Sequence, residues 1–170
     1  MSPEPRARES TRDIRHTVHV GAPPSDVAQA LLRQEHLRRW WTREADVVDG
    51  NAVLRWSGHG FEVHLRMEQD AARNRVLWHC ARSNMQGTSA WEGSIIRFDL
   101  HPEAAGTRIE FTHAGYADSP CRDTCDQGWA FFLRSSLKRY LETGVGIPYP
   151  DIIDTRDAAP EATRATGGNE

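Results

Sequence analysis

The sequence predicts a single α+β domain in which a curved antiparallel sheet of six to seven strands wraps a long C-terminal helix, with two short helices after the first strand. Three observations carry this. Short segments between 14 and 113 place an apolar residue at every second position, so each offers one face for burial. The segment 123 to 143 instead carries Trp129, Phe132, Leu133, Ser136, Leu137 and Tyr140 at three- and four-residue steps, the spacing of a helix face. A one-faced sheet needs a cover, and this is the one long helical pattern left to supply it.

In order along the chain, Ile14, His16, Val18 and Val20 alternate with Arg15, Thr17 and His19 and predict a half-buried strand. Ala22-Pro23-Pro24-Ser25-Asp26 stops it and opens a helix through Arg33, since proline is tolerated where a helix begins. Val27, Ala30 and Leu31 share one face of that helix, and a second short helix, 35 to 41, presents Leu37, Trp40 and Trp41. Adjacent residues on a helix point in different directions, so one of the two tryptophans is expected at a mouth or at the surface. From Ala45 onward, turn residues at Asp49-Gly50-Asn51, Ser57 to Gly60, Ala71 to Asn74, Gln86-Gly87-Thr88 and Ala104-Ala105-Gly106 separate short strands, the pattern of a meander. Phe61, Val63, Leu65 and Met67 make the clearest inward-facing set. Gly144 is placed to cap the long helix, and Pro148 and Pro150 forbid its continuation. The domain is expected over 13 to 150, between a polar segment (1 to 12) and a tail (151 to 170) with almost nothing to bury, both disordered.

Composition narrows the function. Net charge is −3 with both signs interspersed and no block of five like charges, which argues against nucleic acid as a partner. Met1 to Asp13 has no apolar run of a secretion signal, and no stretch of 18 apolar residues follows, so a cytoplasmic protein without a membrane partner is expected. Cys80, Cys121 and Cys125 fit no secreted disulfide framework and no usual zinc spacing, so reduced thiols and no metal are expected. Gly58-His59-Gly60 lacks the lysine, serine and helix of a phosphate loop, and no cofactor is expected.

Four stretches carry a family likeness: Ala22 to Val27 leading to Glu35 to Trp41; Trp91 followed by Ile96, Phe98 and Leu100; Gly106-Thr107 leading to Phe111-Thr112-His113; and Gly128-Trp129 leading through Phe132-Leu133, Ser136 to Lys138 and Tyr140 to Gly144, to Pro148. In this order they resemble the START-like, or SRPBCC, helix-grip superfamily, and within it the branch of homologues of an activator of a heat-shock-protein ATPase (AHSA-type). The resemblance covers about residues 13 to 150. It implies a cavity between sheet and long helix that opens near the short helices and loops, with Phe61 and Val63 on the wall beneath.

Six tryptophans are many for this length. Trp78 and Trp129 lie on core-facing phases, while Trp40 and Trp56 are the better candidates to touch a ligand, with Phe61, Val63 and Phe132 beside them. Glu92 and Ser94 share the parity of Ile96, Phe98 and Leu100, and an unbroken strand would point both inward; a bulge near Gly93 would reverse Glu92. His113 is in phase with Ile109 and Phe111, so Glu92 and His113 are the candidate acid–base pair. The leading expectation is a non-catalytic binding module for a small hydrophobic or aromatic molecule. The alternatives are a cyclase- or hydrolase-like enzyme using Glu92 and His113, and a domain that binds a chaperone or regulator; self-association as a homodimer is open.

Overall fold

The computed structural model describes residues 13–116 and 122–151. Segment 1–12 and the tail beyond Asp151, for which disorder is expected, lie outside the described residues, as does Cys121. Strand β1 (Ile14–Val20) precedes helices α1 (Pro24–Leu32) and α2 (Gln34–Trp40). The strands β2 (Ala45–Val48), β3 (Asn51–Trp56), β4 (Phe61–Asp70), β5 (Arg75–Ser83), β6 (Ile95–Glu103) and β7 (Gly106–Ala114) follow. The long helix closes the domain in three continuous stretches: α3 (Arg122–Ala130), a π-helical stretch (Phe131–Leu137) and α4 (Lys138–Thr143).

All seven strands form one antiparallel sheet in the order β1-β7-β6-β5-β4-β3-β2. This is the expected helix-grip architecture, in which a six-strand meander takes β1 onto its far edge beside β7. Turn chemistry sets the registers. The β2–β3 loop is only Asp49-Gly50, both at positive φ (51° and 78°), the combination a two-residue hairpin needs to match strand twist. Asn74 takes the left-handed conformation that returns the chain into β5.

The sheet edges are closed by side chains. On β1, Lys138 Nζ donates to the His19 carbonyl at 2.7 Å, Arg122 donates to the Asp13 carbonyl at 2.8 Å, and the Gly21 N–H donates to Glu142 Oε2 at 2.8 Å. On β2, Arg38 Nε donates to the Ala45 carbonyl at 2.7 Å and the Val47 N–H to Gln34 Oε1 at 2.8 Å. An unpaired strand edge is a template for association, and here helix side chains occupy it.

The long helix buries Cys125, Trp129, Phe132, Leu133, Ser136 and Leu137, and Gly144 caps it at φ 87°. Beyond it the chain turns back against α2: the Ile147 N–H donates to Ser136 Oγ at 2.8 Å, and Ser136 Oγ donates to the Trp40 carbonyl at 2.6 Å. Tyr149 and Thr42 then form a parallel bridge, so residues 145 to 151 strap the long helix to the exit of α2.

Candidate functional site

A cavity of about 290 Å³ lies where the end of β3, the β5–β6 connection, the first half of the long helix and the strap converge. Trp41, Trp56, Phe61, Trp91, Trp129 and Phe132 form most of its wall. Exposed His59, Gln86 and Thr124 stand at its rim, and buried Tyr149 closes one side. Among the described residues, no Asp, Glu, Lys or Arg lines it. Gly128 also faces it, and a Cβ built there would meet nothing within 4 Å.

The four tryptophans of the wall belong to one continuous aromatic cluster. Trp41 is its hub: its ring stacks on Trp78 at 4.9 Å, meets Trp56 edge-on at 5.4 Å and leans on Trp129 at 5.4 Å. Trp129 in turn stacks on Trp91 at 5.6 Å. Rings held in this way are rigid, and each offers the cavity an apolar face. Both Trp40 and Trp41 are buried, at 0% and 2% exposure, so of the two places expected for one of them, a mouth or the surface, the surface is ruled out. Trp41 caps α2 with φ −112° and ψ −70°, so its ring leaves helical spacing and lies over Trp40, with planes 12° apart. Trp41, not Trp40, lines the cavity.

His113 faces inward as expected and is fully buried. Trp129 Nε1 donates to its Nδ1 at 3.3 Å, so the ring proton belongs on Nε2, which donates to Ser94 Oγ at 2.8 Å. Ser94 passes the chain on to the Trp91 carbonyl at 2.5 Å. Burial pushes the His113 imidazole down to about 3, so it is neutral at physiological pH with both nitrogens occupied.

Glu92 does not join it. Gly93 at φ 83° turns the chain before β6 begins at Ile95, so Ser94 points inward while Glu92 is exposed and accepts the Ser83 N–H at 3.1 Å. The expected Glu92–His113 pair is therefore not formed. Of the other expected ligand contacts, Trp56, Phe61, Trp129 and Phe132 line the cavity. Trp40, Val63, Trp78, Ser94 and His113 are buried but do not line it. Trp40 and Trp78 instead donate their indole N–H groups to the Ala30 and Leu31 carbonyls.

Sequence reasoning favoured Trp40 over its neighbour Trp41 and passed over Trp91, Tyr149 and Gly128 as cavity residues. A glycine inside an otherwise regular helical pattern was the signal available for Gly128. Cys125 lines the cavity too, its Sγ accepting from Trp91 Nε1 at 3.5 Å and from the Tyr116 hydroxyl at 3.1 Å. Cys80 sits on β5, where burial pushes its thiol up to about 12, so it has little thiolate character. Among the described residues no three His, Cys, Asp or Glu side chains gather as a metal site would require.

The family model described as activator of Hsp90 ATPase homolog 1-like protein matches residues 21–142, most of the folded part. The chain belongs to that family. Among curated proteins, none matches it. Solved structures do. The Aha1 dimer from Colwellia psychrerythraea is 28% identical with a TM-score of 0.66, over 79% of this chain and 98% of that one. SSP2350 from Staphylococcus saprophyticus (24% identity, TM-score 0.58, 79% of this chain and 95% of that one) and CV1439 from Chromobacterium violaceum (20%, 0.59, 76% and 97%) share the fold. The Hsp90-activator-like family thus supplies the architecture, and the chemistry of the cavity comes from this chain's own residues.

Proposed function

We propose that this protein acts in the cytoplasm as a non-catalytic binding module for a small, uncharged hydrophobic or aromatic molecule, held between the sheet and the long helix. The observation that carries this reading is an aromatic-walled hollow of about 290 Å³ with no Asp, Glu, Lys or Arg among its described lining residues. Such a wall rewards apolar burial by roughly 25 cal/mol per Å² and penalises an unpaired charge. Gly128 adds support. Glycine inside a helix costs about 1 kcal/mol relative to alanine, and here it leaves space that a side chain would fill. The enzyme alternative loses its acid–base pair to the turn at Gly93.

Titration with a panel of aromatic and lipid-like compounds, followed by tryptophan fluorescence, tests the reading. Binders are expected to quench the emission and raise the melting temperature. Gly128→Leu, which pushes a side chain into the hollow from a helix that tolerates it, is expected to lower affinity at least tenfold with the fold retained. A panel that changes neither signal removes the reading.

Self-association is a second expectation, supported by the dimeric Colwellia structure. Light scattering that returns the 19.2 kDa monomer mass at tens of micromolar would remove it.

A further inference from the structure

The six indole N–H groups divide into two sets. Four have protein acceptors: Trp40 on the Ala30 carbonyl at 2.8 Å, Trp78 on the Leu31 carbonyl at 3.1 Å, Trp91 on Cys125 Sγ at 3.5 Å and Trp129 on His113 Nδ1 at 3.3 Å. Trp41 and Trp56, 2% and 5% exposed, have no acceptor among the described residues. Every side-chain nitrogen or oxygen sealed from solvent does have a partner among those residues. The Trp41 and Trp56 N–H groups are therefore not sealed: they open on the cavity that both rings line.

Tyr149 adds a third donor. Its hydroxyl oxygen accepts the Gly58 N–H at 2.5 Å, while its own proton has no acceptor among the described residues. The cavity thus offers buried donors and, among the described residues, no carboxylate to receive them and no Lys or Arg to hold an anion. A buried donor is costly to leave unmade, so an occupant that supplies an acceptor gains more here than one that supplies only surface. A carboxylate would supply it at the cost of burying an uncompensated charge.

We propose that the occupant is a flat, uncharged polycyclic molecule carrying a carbonyl oxygen, which accepts hydrogen bonds from Trp41 and Trp56, with Tyr149 donating at the side closed by the strap. This rests on the ligand-binding reading above and narrows it to a chemical class.

Fluorene and 9-fluorenone have the same three-ring frame and differ by one carbonyl, and fluorene is the more hydrophobic. Binding of both is measured to the full chain by calorimetry and by spectra of protein labelled at the indole nitrogens, with Trp41→Phe and Trp56→Phe assigning signals. Fluorenone is expected to bind about tenfold tighter, the yield of two modest hydrogen bonds. It is also expected to shift the Trp41 and Trp56 N–H signals and leave those of Trp40 and Trp78 in place. In Trp56→Phe the ratio is expected to narrow to about threefold through loss of fluorenone affinity alone. Fluorene binding as tightly as fluorenone, or tighter, would overturn the carbonyl inference and leave the apolar reading standing. Binding of neither overturns both.

Discussion

His113 shows how a residue with a functional profile becomes a structural one. Its two ring nitrogens are spent on Trp129 and Ser94, and its edge-on contacts with Trp91 at 4.8 Å and Tyr116 at 5.2 Å leave no route to water. The unfolded chain takes up this proton below 6.5, whereas the folded chain resists it down to about 3. The sign follows: stability is fully present above pH 6.5 and falls as the pH drops through that window, by about 1.4 kcal/mol per unit for this one group. Urea unfolding of wild type and His113→Gln at pH 7, 6 and 5 should show the difference in slope, and parallel slopes would mean that the imidazole charges in the folded state. Glu103, Glu110 and Glu142, whose carboxyls are lowered chiefly by hydrogen bonds from His19, Thr17 and Lys138, add to acid sensitivity only below about 4.5. Ser94→Ala leaves the His113 Nε2–H facing an apolar wall and should cost about 1–3 kcal/mol.

At the scale of elements, the long helix serves both packing and space. Its π-helical stretch carries Phe132, which lines the cavity, together with Leu133, Ser136 and Leu137, and such widened turns recur near functional sites. Gly128 one turn earlier withholds a side chain. Gly128→Ala should therefore stabilise the protein by about 1 kcal/mol in thermal unfolding, because helix propensity improves and nothing is displaced. Gly146→Ala should do the opposite: a Cβ there would clash with the Arg39 carbonyl and crowd Trp40 and Tyr140, so the strap could not seat. A melting temperature for Gly146→Ala equal to wild type would show that the strap is dispensable.

At the scale of the molecule, the cavity belongs to no single element. The end of β3, the β5–β6 connection, the long helix and the strap each give it a wall, and Tyr149 ties the strap to its surroundings, accepting from Gly58 in the β3–β4 turn while its backbone bridges to Thr42 just past α2. Tyr149→Phe removes the hydroxyl and keeps the ring; it should cost about 1 kcal/mol of stability and weaken fluorenone binding more than fluorene binding. Equal losses for both ligands would assign Tyr149 a purely packing role.

Much of this was legible from local pattern. Ile14 to Val20, Phe61 to Met67 and the steps from Trp129 to Tyr140 declare their own period, and a one-faced sheet with one long amphipathic helix admits few arrangements. Ser94 and His113 were placed inward by parity alone. Parity fails where the backbone leaves regular geometry: at Gly93, whose positive φ sends Glu92 outward, and at Trp41, where the end of α2 folds one indole over its neighbour. Periodicity says which side of an element is apolar. Whether that side is filled or left hollow, and which indole N–H finds an acceptor, depends on contacts between residues far apart in the chain, and these exist only once the strap, the sheet and the long helix have met.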